Sequence, residues 1–237
     1  LDYYIPHRVD EGYGLNPEAL ATLARDGAAV VVTVDCGVTA VEQAEVARAL
    51  GIELIVTDHH ELRADGALPD AAAVVHPRLP GADYPNGDLC GAGVAFKLAW
   101  AIGQKLNGAT KVSERFRDFL VQAVTLAALG TVADVVPLRG ENRVIVAHGL
   151  RSIKQTKLAG LDALIASAGL ATEKVDSIGV GFKLAPRLNA AGRMDAARQA
   201  VEMFTTADRN RGREIADYLE ANNRKRQSTE RSILKQA

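Results

Sequence analysis

The alternation of apolar and polar positions predicts short strands and helices in the first half of the chain. Two β-branched apolar runs, 28–34 and 52–57, are typical of buried strands in a parallel sheet. Between them, residues 39–50 carry apolar side chains at helical spacing, and a glycine follows the last of them. A strand, a helix and a parallel strand form a right-handed crossover unit. With a third short strand at 73–76, the sequence predicts an α/β fold with a parallel β-sheet flanked by helices.

Helices are predicted for most of the chain outside the sheet. An Asn-Pro pair at 16–17 caps and starts a helix that runs to about residue 26. The segment 113–129 is apolar around most of its circumference in its last half, so we expect it to be buried, with Gly130 as its end. Residues 131–137 are then predicted to form a loop. Other helices are predicted at 94–106, 141–153, 160–167 and 193–204.

The last segment of the chain, 207–237, is rich in Arg, Lys, Glu and Asn. Its few apolar positions include Ile215, Leu219, Ile233 and Leu234. A long helix that is polar on nearly all sides is typical of a bridge between domains. We therefore expect one domain over 1–206 and a mostly polar connecting helix over 207–237 that leads to a domain not present. The first six residues resemble the end of a strand, so the first domain is expected to be incomplete at its N-terminus.

Composition places the chain among ordinary globular proteins. Hydrophobic residues make up 48% of its 237 residues and charged residues 24%, with a formal net charge of -1. This near-neutral total provides no overall basic field, so nucleic-acid binding would depend on local clusters. No uninterrupted apolar run reaches the ~20 residues of a membrane-spanning helix, and no signal peptide is recognisable. Because Cys36 and Cys90 also lack a paired spacing, we expect a cytoplasmic protein without membrane association.

Acidic and imidazole side chains follow the first two predicted strands. Asp35 ends the first strand, and Asp58, His59 and His60 end the second. Because ligands bind outside the carboxyl ends of the strands in open α/β sheets, we expect these side chains to share one cleft. Oxygen and nitrogen ligands of this kind suit Mn²⁺, Mg²⁺ or Zn²⁺. The sequence therefore predicts a metal site at this edge of the sheet.

Each candidate ligand also has a purely structural interpretation. Asp35 would equally well cap the helix that begins near residue 39, and a cap with two incidental histidines is the less favoured interpretation of 58–60. Asp134 lies in an apolar segment, where an isolated buried charge is costly, but on its own it is more simply an ordinary turn acid. Adjacent side chains diverge, so only one of His59 and His60 is expected to join Asp35 at one ion. The other would face a substrate or make an outer hydrogen bond.

The segment 183–193 combines three cations and an asparagine with small residues. Small side chains let a backbone approach closely, and arginine forks match phosphate oxygens. The segment is therefore a candidate surface for phosphate or nucleotide contacts, and the alternative is a solvated turn with a helix-capping arginine. Arg8, in a turn beside His7, is uninformative on its own.

Several motifs taken together resemble the DHH phosphoesterase superfamily. They are Val34–Gly37, Thr57–His60, Gly130–Asp134 and Pro186–Arg193, in that order, with Pro6–Arg8 and Gly91–Lys97 in addition. The resemblance extends over nearly the whole chain and is strongest to the single-strand-specific 5′ to 3′ exonucleases of that superfamily. It implies a DHH-type catalytic domain over 1–206. It also implies a phosphodiesterase with two ions, Mn²⁺ or Mg²⁺, that hydrolyses single-stranded DNA in DNA repair and recombination.

The resemblance assigns roles to the residues of the predicted cleft. Asp35 would bridge the two ions, and His59 and Asp134 would bind one of them. His60 would face the scissile phosphate, and Asp58 would support the site. The side chains that would contact nucleic acid are Arg8 at the 5′ end of the strand and Arg187, Asn189 and Arg193 along it.

The family pattern also has parts that this sequence lacks. Its first Asp-x-Asp motif and its small C-terminal domain are absent, so the chain alone is expected to have little or no activity. The expected partners are single-stranded DNA and a helicase or single-strand-binding protein, and a monomer is expected. Two alternatives stay open. One is a phosphoesterase for short oligonucleotides, cyclic dinucleotides or pyrophosphate. The basic segments argue against it, because they favour a polymeric substrate. The other is a relative that binds nucleic acid without cutting it, against which the intact acid and histidine cluster argues.

Overall fold

The computed structural model describes residues 1–6, 12, 14–191 and 197–236. The chain groups into two compact units, Leu1–Val146 and Ala147–Ala237, so that the division falls inside a helix. The first unit contains the strands, and the elements described in the second unit are all helical.

The first unit contains a three-stranded parallel sheet in the order β1-β2-β3. The strands are β1 (Val30–Val34), β2 (Glu53–Thr57) and β3 (Ala73–Val75). The register pairs the last residue of β1 with that of β2, and the last residue of β2 with that of β3. The three strands therefore end side by side, and the residues that follow them emerge at one edge. The predicted α/β fold with a parallel sheet is confirmed.

Two helices, α1 (Pro17–Arg25) and α2 (Val41–Ala49), supply apolar side chains to the core of this unit. Asn16 caps α1 by accepting a hydrogen bond from the Ala19 N–H at 2.7 Å, and a proline follows it with the φ that a first turn needs. The buried apolar cluster between these helices and the central strand comprises Leu20, Ala44, Ala47, Ile52, Leu54 and Val56.

β1 lies at an edge of the sheet, and within the described ranges no strand pairs with its outer side. Side chains alternate between the two faces of a strand. On β1 this alternation leaves about half of the side-chain surface exposed at Val30, Val32 and Val34. Apolar surface is therefore uncovered on one face of the first strand.

Helices α3 (Gly91–Asn107) and α4 (Glu114–Ala133) pack against each other in the first unit. The prediction that α4 ends at Gly130 is wrong, because the helix continues to Ala133 and the predicted loop begins only at Asp134. Gly130 lies inside the helix, where a Cβ atom would come within 2.5 Å of the Ala92 Cβ. This glycine therefore allows a close approach of α3 instead of ending α4.

By length and composition, α4 is the one helix in the described part of the chain that could cross a membrane. A search for an uninterrupted apolar run does not detect it, because charged residues occupy its first turns. One such helix is weak support for a membrane span, since core helices have the same character. The residues that α4 buries include Leu120, Ala127, Ala128 and Leu129.

The second unit is built from helices that pack along a long C-terminal one. The helices are α5 (Gly140–Ser152, shared with the first unit), α6 (Ala159–Ser167), α7 (Ser177–Gly179), α8 (Ala185–Ala191), α9 (Ala197–Thr205) and α10 (Arg209–Gln236). A short 3₁₀ segment, Ile153–Gln155, follows α5, and a π-helical turn, Val180–Leu184, joins α7 to α8. α10 packs against α6, α8 and α9, and the buried residues of the unit include Leu161, Leu164, Leu184, Met203, Ile215 and Leu219.

The predicted contact surface over 183–193 is helical up to Ala191, and 192–196 lie outside the described residues. On α10, Ile215 and Leu219 are buried, whereas Ile233 and Leu234 are exposed. The first half of α10 is therefore packed within its unit. Its role as a connecting helix, and the domain limits at 206 and 207, stay predictions.

Candidate metal centre

Asp35 leaves β1 with a backbone conformation that few residues adopt. Its φ of 66° lies in the left-handed region, which aspartate tolerates better than most side chains. The Asp35 N–H still donates to the Thr57 carbonyl at 3.0 Å and extends the ladder by one residue. Gly37 then turns the chain with a φ of 108°, and the Thr33 hydroxyl donates to the Cys36 carbonyl at 2.7 Å across this turn. The turn places a carboxylate directly at the end of the strand.

Asp58 is the buried residue that joins the first two strand ends. Its carboxylate accepts hydrogen bonds from the backbone N–H groups of Val38 at 2.9 Å, His59 at 2.7 Å and His60 at 3.2 Å. A carboxylate only accepts, so His60 Nδ1 carries a proton and donates it to Asp58 at 2.6 Å. Four hydrogen bonds therefore hold the Asp58 carboxylate in place.

Two carboxylates, those of Asp35 and Asp134, lie close to the same nitrogen of His59. His59 Nε2 lies 3.0 Å from Asp35 Oδ1 and 3.5 Å from Asp134 Oδ2. This nitrogen is buried, yet the angles give it no hydrogen bond to any described residue. Buried polar atoms rarely lack a partner, and an imidazole nitrogen between two carboxylates is a donor set that suits a divalent cation. The three side chains are therefore suited to hold a metal ion.

His60 lies at the more open side of this cluster. Its side chain is 47% exposed, whereas that of His59 is 12% exposed. The ligand atoms of Asp35, His59 and His60 all lie within 4.8 Å of one another. Since Nδ1 is bound to Asp58, Nε2 is the nitrogen of His60 that can bind a metal ion or a substrate.

Burial and hydrogen bonding shift the pKa values of these groups in different directions. Burial raises the pKa of Asp35, and the nearby His59 and His60 offset this only in part. Burial acts in the same sense on Asp58, but hydrogen bonds from the Val38 N–H and from His60 outweigh it and lower the pKa of Asp58. For His60, burial favours the neutral form, but the hydrogen bond to Asp58 raises the pKa above its usual value. Asp35 would thus gain most from a neighbouring cation.

The ends of α3 and α4 complete the centre. Asp134 is the residue that follows the last turn of α4, and Val135 after it has a φ of 60° and is 86% exposed. Such a φ is strained for a β-branched residue. Gly91, the first residue of α3, lies so close to Asp35 that a Cβ atom there would overlap the carboxylate. Both Gly91 and Val135 are missing from the predicted site, although the Gly-Ala-Gly spacing at 91–93 signals a close approach.

The predicted nucleic-acid contacts are described only in part. Arg8 and Arg193 lie outside the described residues. Arg187 pairs through Nη2 with Glu220 Oε2 at 2.6 Å, and its Nη1 donates to a carbonyl one turn earlier at 2.6 Å. Asn189, two residues later, is exposed. Within the second unit, Arg187 is therefore engaged by its own helices, whereas Asn189 faces solvent.

The parallel sheet places Asp35 and His59 at one edge, and Asp134 at the end of α4 lies beside His59. The fold and this cluster define an α/β protein with a candidate divalent-metal centre. The chain also matches the family model described as "DHH family, N-terminal domain" over residues 1–131. It therefore belongs to the DHH family, and the resemblance inferred from its motifs is confirmed.

Curated relatives share the sequence over nearly the whole chain. The single-stranded-DNA-specific exonuclease RecJ of Bacillus subtilis (strain 168) is 41% identical over 227 residues, which are 96% of this chain and 27% of that protein. The protein of the same name from Escherichia coli (strain K12) is 39% identical over 236 residues, 98% of this chain and 41% of that protein. The chain thus spans well under half the length of these relatives.

Solved structures share the fold. The crystal structure of an exonuclease RecJ bound to manganese superimposes with a TM-score of 0.82 and 34% identity, over 98% of this chain and 56% of that one. RecJ from Thermus thermophilus in complex with Mn²⁺ gives a TM-score of 0.79 and 32% identity, over 93% of this chain and 31% of that one.

Proposed function

We propose that the full-length protein is a metal-dependent 5′ to 3′ exonuclease that hydrolyses single-stranded DNA in DNA repair and recombination. The observation that supports this most directly is the buried His59 Nε2, which lies without a hydrogen bond between Asp35 and Asp134. The relatives named above, single-stranded-DNA-specific exonucleases, give the substrate class. Because the chain spans well under half of their length, the activity is assigned to the full-length protein.

We assign Mn²⁺ or Mg²⁺ as the cofactor, because structural relatives were crystallised with these ions. Asp35, His59 and Asp134 would hold one ion, with Asp35 also bridging to a second. A bound pair of such ions lowers the pKa of a water molecule and neutralises charge on the reacting phosphate.

The other side chains of the centre would orient the substrate. Asp58 fixes the His60 ring through Nδ1, so Nε2 on the more open side can meet a phosphate oxygen. Along the strand, the contacts are assigned to Arg8, Arg187, Asn189 and Arg193, because arginine and amide groups match phosphate oxygens. We further assign the protein to the cytoplasm, as a monomer that receives single strands from a helicase or a single-strand-binding protein.

Purified full-length protein in Mn²⁺ tests the proposal. We expect mononucleotides to be released from the 5′ end of long single strands, with little cleavage of duplex DNA or dinucleotides. Loss of an outer hydrogen-bond partner of a metal site typically costs roughly 10–100-fold in activity. Asp134→Ala removes a proposed ligand and should lower the rate of DNA hydrolysis by more than this. Asp70→Ala is the control, because Asp70 is exposed and pairs only with Arg48 among the described residues.

Three results would contradict the proposal in different ways. A preference for dinucleotides would indicate a small-substrate phosphoesterase. Full activity of Asp134→Ala would remove Asp134 from the site. Calorimetry that shows no Mn²⁺ binding would favour a relative that binds nucleic acid without cutting it.

A further inference from the structure

We propose that the loop after β3 positions the two histidines of the metal centre through His76 and Arg78. The side chains of both residues form hydrogen bonds that end on the backbone of His59 and His60. The inference rests on the proposed function and deepens it, because it concerns how a metal ligand is held in place. Neither residue is expected to touch metal or substrate, so both are positioning residues.

The hydrogen bonds of His76 define which of its nitrogens carries the proton. His76 is buried and directly follows β3. The Arg78 backbone N–H donates to His76 Nδ1 at 3.0 Å, so Nδ1 must be an acceptor. The proton of the ring therefore lies on Nε2, which donates to the His60 carbonyl at 2.8 Å. Both nitrogens of His76 are used, and the ring cannot rotate without losing both hydrogen bonds.

Arg78 binds the turn of residues 58–60 at His59, one residue before the carbonyl that His76 binds. Its Nη2 donates to the His59 carbonyl at 2.8 Å, and its Nη1 pairs with Glu61 Oε1 at 2.8 Å. The stem of the side chain lies against Gly87, where a Cβ atom would come within 2.9 Å of Arg78 Cγ. The glycine thus leaves the space that this conformation of Arg78 needs.

The turn is consequently held from two sides. Asp58 binds the N–H groups of His59 and His60, while His76 and Arg78 bind their carbonyl groups. Fixing the peptide groups on both sides fixes the Cα–Cβ directions of the histidines. A metal ligand placed off its best position by a fraction of an ångström binds the ion less well, and outer hydrogen-bond partners commonly carry this role.

Matched variants of the full-length protein separate positioning from mere packing. His76→Phe keeps a planar ring and removes both hydrogen bonds, while His76→Gln keeps an amide donor at the end of the side chain. Arg78→Met keeps the stem and removes the guanidinium. Arg63→Met is the control, because Arg63 is a half-buried arginine that pairs with Asp65 and Glu42.

Two measurements are made on protein that circular dichroism shows to be folded: Mn²⁺ affinity by calorimetry, and hydrogen exchange of peptides that cover residues 57–62 without metal. We expect His76→Phe and Arg78→Met to weaken Mn²⁺ binding about 10–100-fold and to speed exchange of the turn. His76→Gln should recover most of the affinity, and Arg63→Met should match the wild type.

Wild-type Mn²⁺ affinity and wild-type exchange in both His76→Phe and Arg78→Met would overturn the inference, even if both variants melt at lower temperature. Failure of His76→Gln to recover affinity would overturn the role of the Nε2 hydrogen bond. If the wild-type protein binds no Mn²⁺, the proposed function fails, and the exchange rates still decide whether His76 and Arg78 hold the turn.

Discussion

At the scale of single residues, Asp35 combines a left-handed backbone with a carboxyl group whose pKa is raised by burial. Asparagine adopts the same backbone and has nearly the same shape, but it carries no charge. Asp35→Asn should therefore weaken Mn²⁺ binding by more than roughly tenfold while keeping the fold. Calorimetry on the full-length protein measures this loss.

The raised pKa of Asp35 also fixes the sign of a pH effect. An acid whose folded-state pKa lies above its unfolded value of about 3.9 destabilises the fold as the pH rises from that value, and the loss is complete once the pH exceeds the folded-state pKa. In EDTA, Asp35→Asn should therefore be more stable than the wild type at neutral pH, and the difference should fade below about pH 4. Added Mn²⁺ should stabilise the wild type more than the variant. Thermal unfolding that shows wild type and variant equal in EDTA at neutral pH would contradict the pKa argument.

Residue patterns point to the proposed metal ligands more readily than to the residues that hold them in place. Asp35, Asp58 and His59 are recognisable because acids and imidazoles rarely follow an apolar strand without a reason. His76 and Arg78 act on backbone carbonyls, and a hydrogen bond to a carbonyl imposes no partner residue that a sequence would display. Their role depends on the path of a loop, which only the structure provides.

At the scale of elements, the two ends of α3 allow a matched comparison. A Cβ atom at Gly91 would overlap the Asp35 carboxylate, and one at Gly103 would overlap the Phe116 ring of α4. Both Gly91→Ala and Gly103→Ala should cost about 1–3 kcal/mol of stability by overpacking. Only Gly91→Ala should also weaken Mn²⁺ binding, because only its methyl group displaces a proposed ligand. Equal Mn²⁺ affinity of the two variants would show that Asp35 tolerates the shift.

Glycines end some helices of this chain and lie inside others. Gly51 and Gly108 have positive φ values and lie just past the ends of their helices, a conformation that favours glycine and ends helices. Gly130 lies inside α4, where it admits Ala92. A sequence shows the residue type but not which of these two uses applies. The end of α4, and with it the attachment of Asp134, therefore had to come from the structure.

At the scale of the whole molecule, the second unit presents two of the proposed DNA contacts differently: Arg187 is paired within the unit, and Asn189 is exposed. Arg187→Ala breaks a largely buried pair with Glu220 and should lower stability by up to roughly 3 kcal/mol. Asn189→Ala should leave stability unchanged and lower affinity for a fluorescent single strand in anisotropy measurements. Arg224→Ala is the control, because Arg224 pairs with the same Glu220 but is 76% exposed. Unchanged affinity of Asn189→Ala would remove this segment from the proposed DNA surface.

The division between the two compact units has no signature in the sequence. Composition changes at about residue 207, but the compact units divide between Val146 and Ala147, inside one continuous helix. A helix that passes from one unit to the next shows no change in periodicity or polarity at the division. The buried Ile215 and Leu219 show that a largely polar helix can still pack one narrow face.

The edge strand β1 has a practical consequence for work with this stretch of the protein. Its outer hydrogen-bonding groups and the half-exposed Val30, Val32 and Val34 form a template on which another strand can pair. Association of copies through β1 is therefore expected to increase with protein concentration. Low protein concentration follows as the sensible condition for crystallisation or spectroscopy.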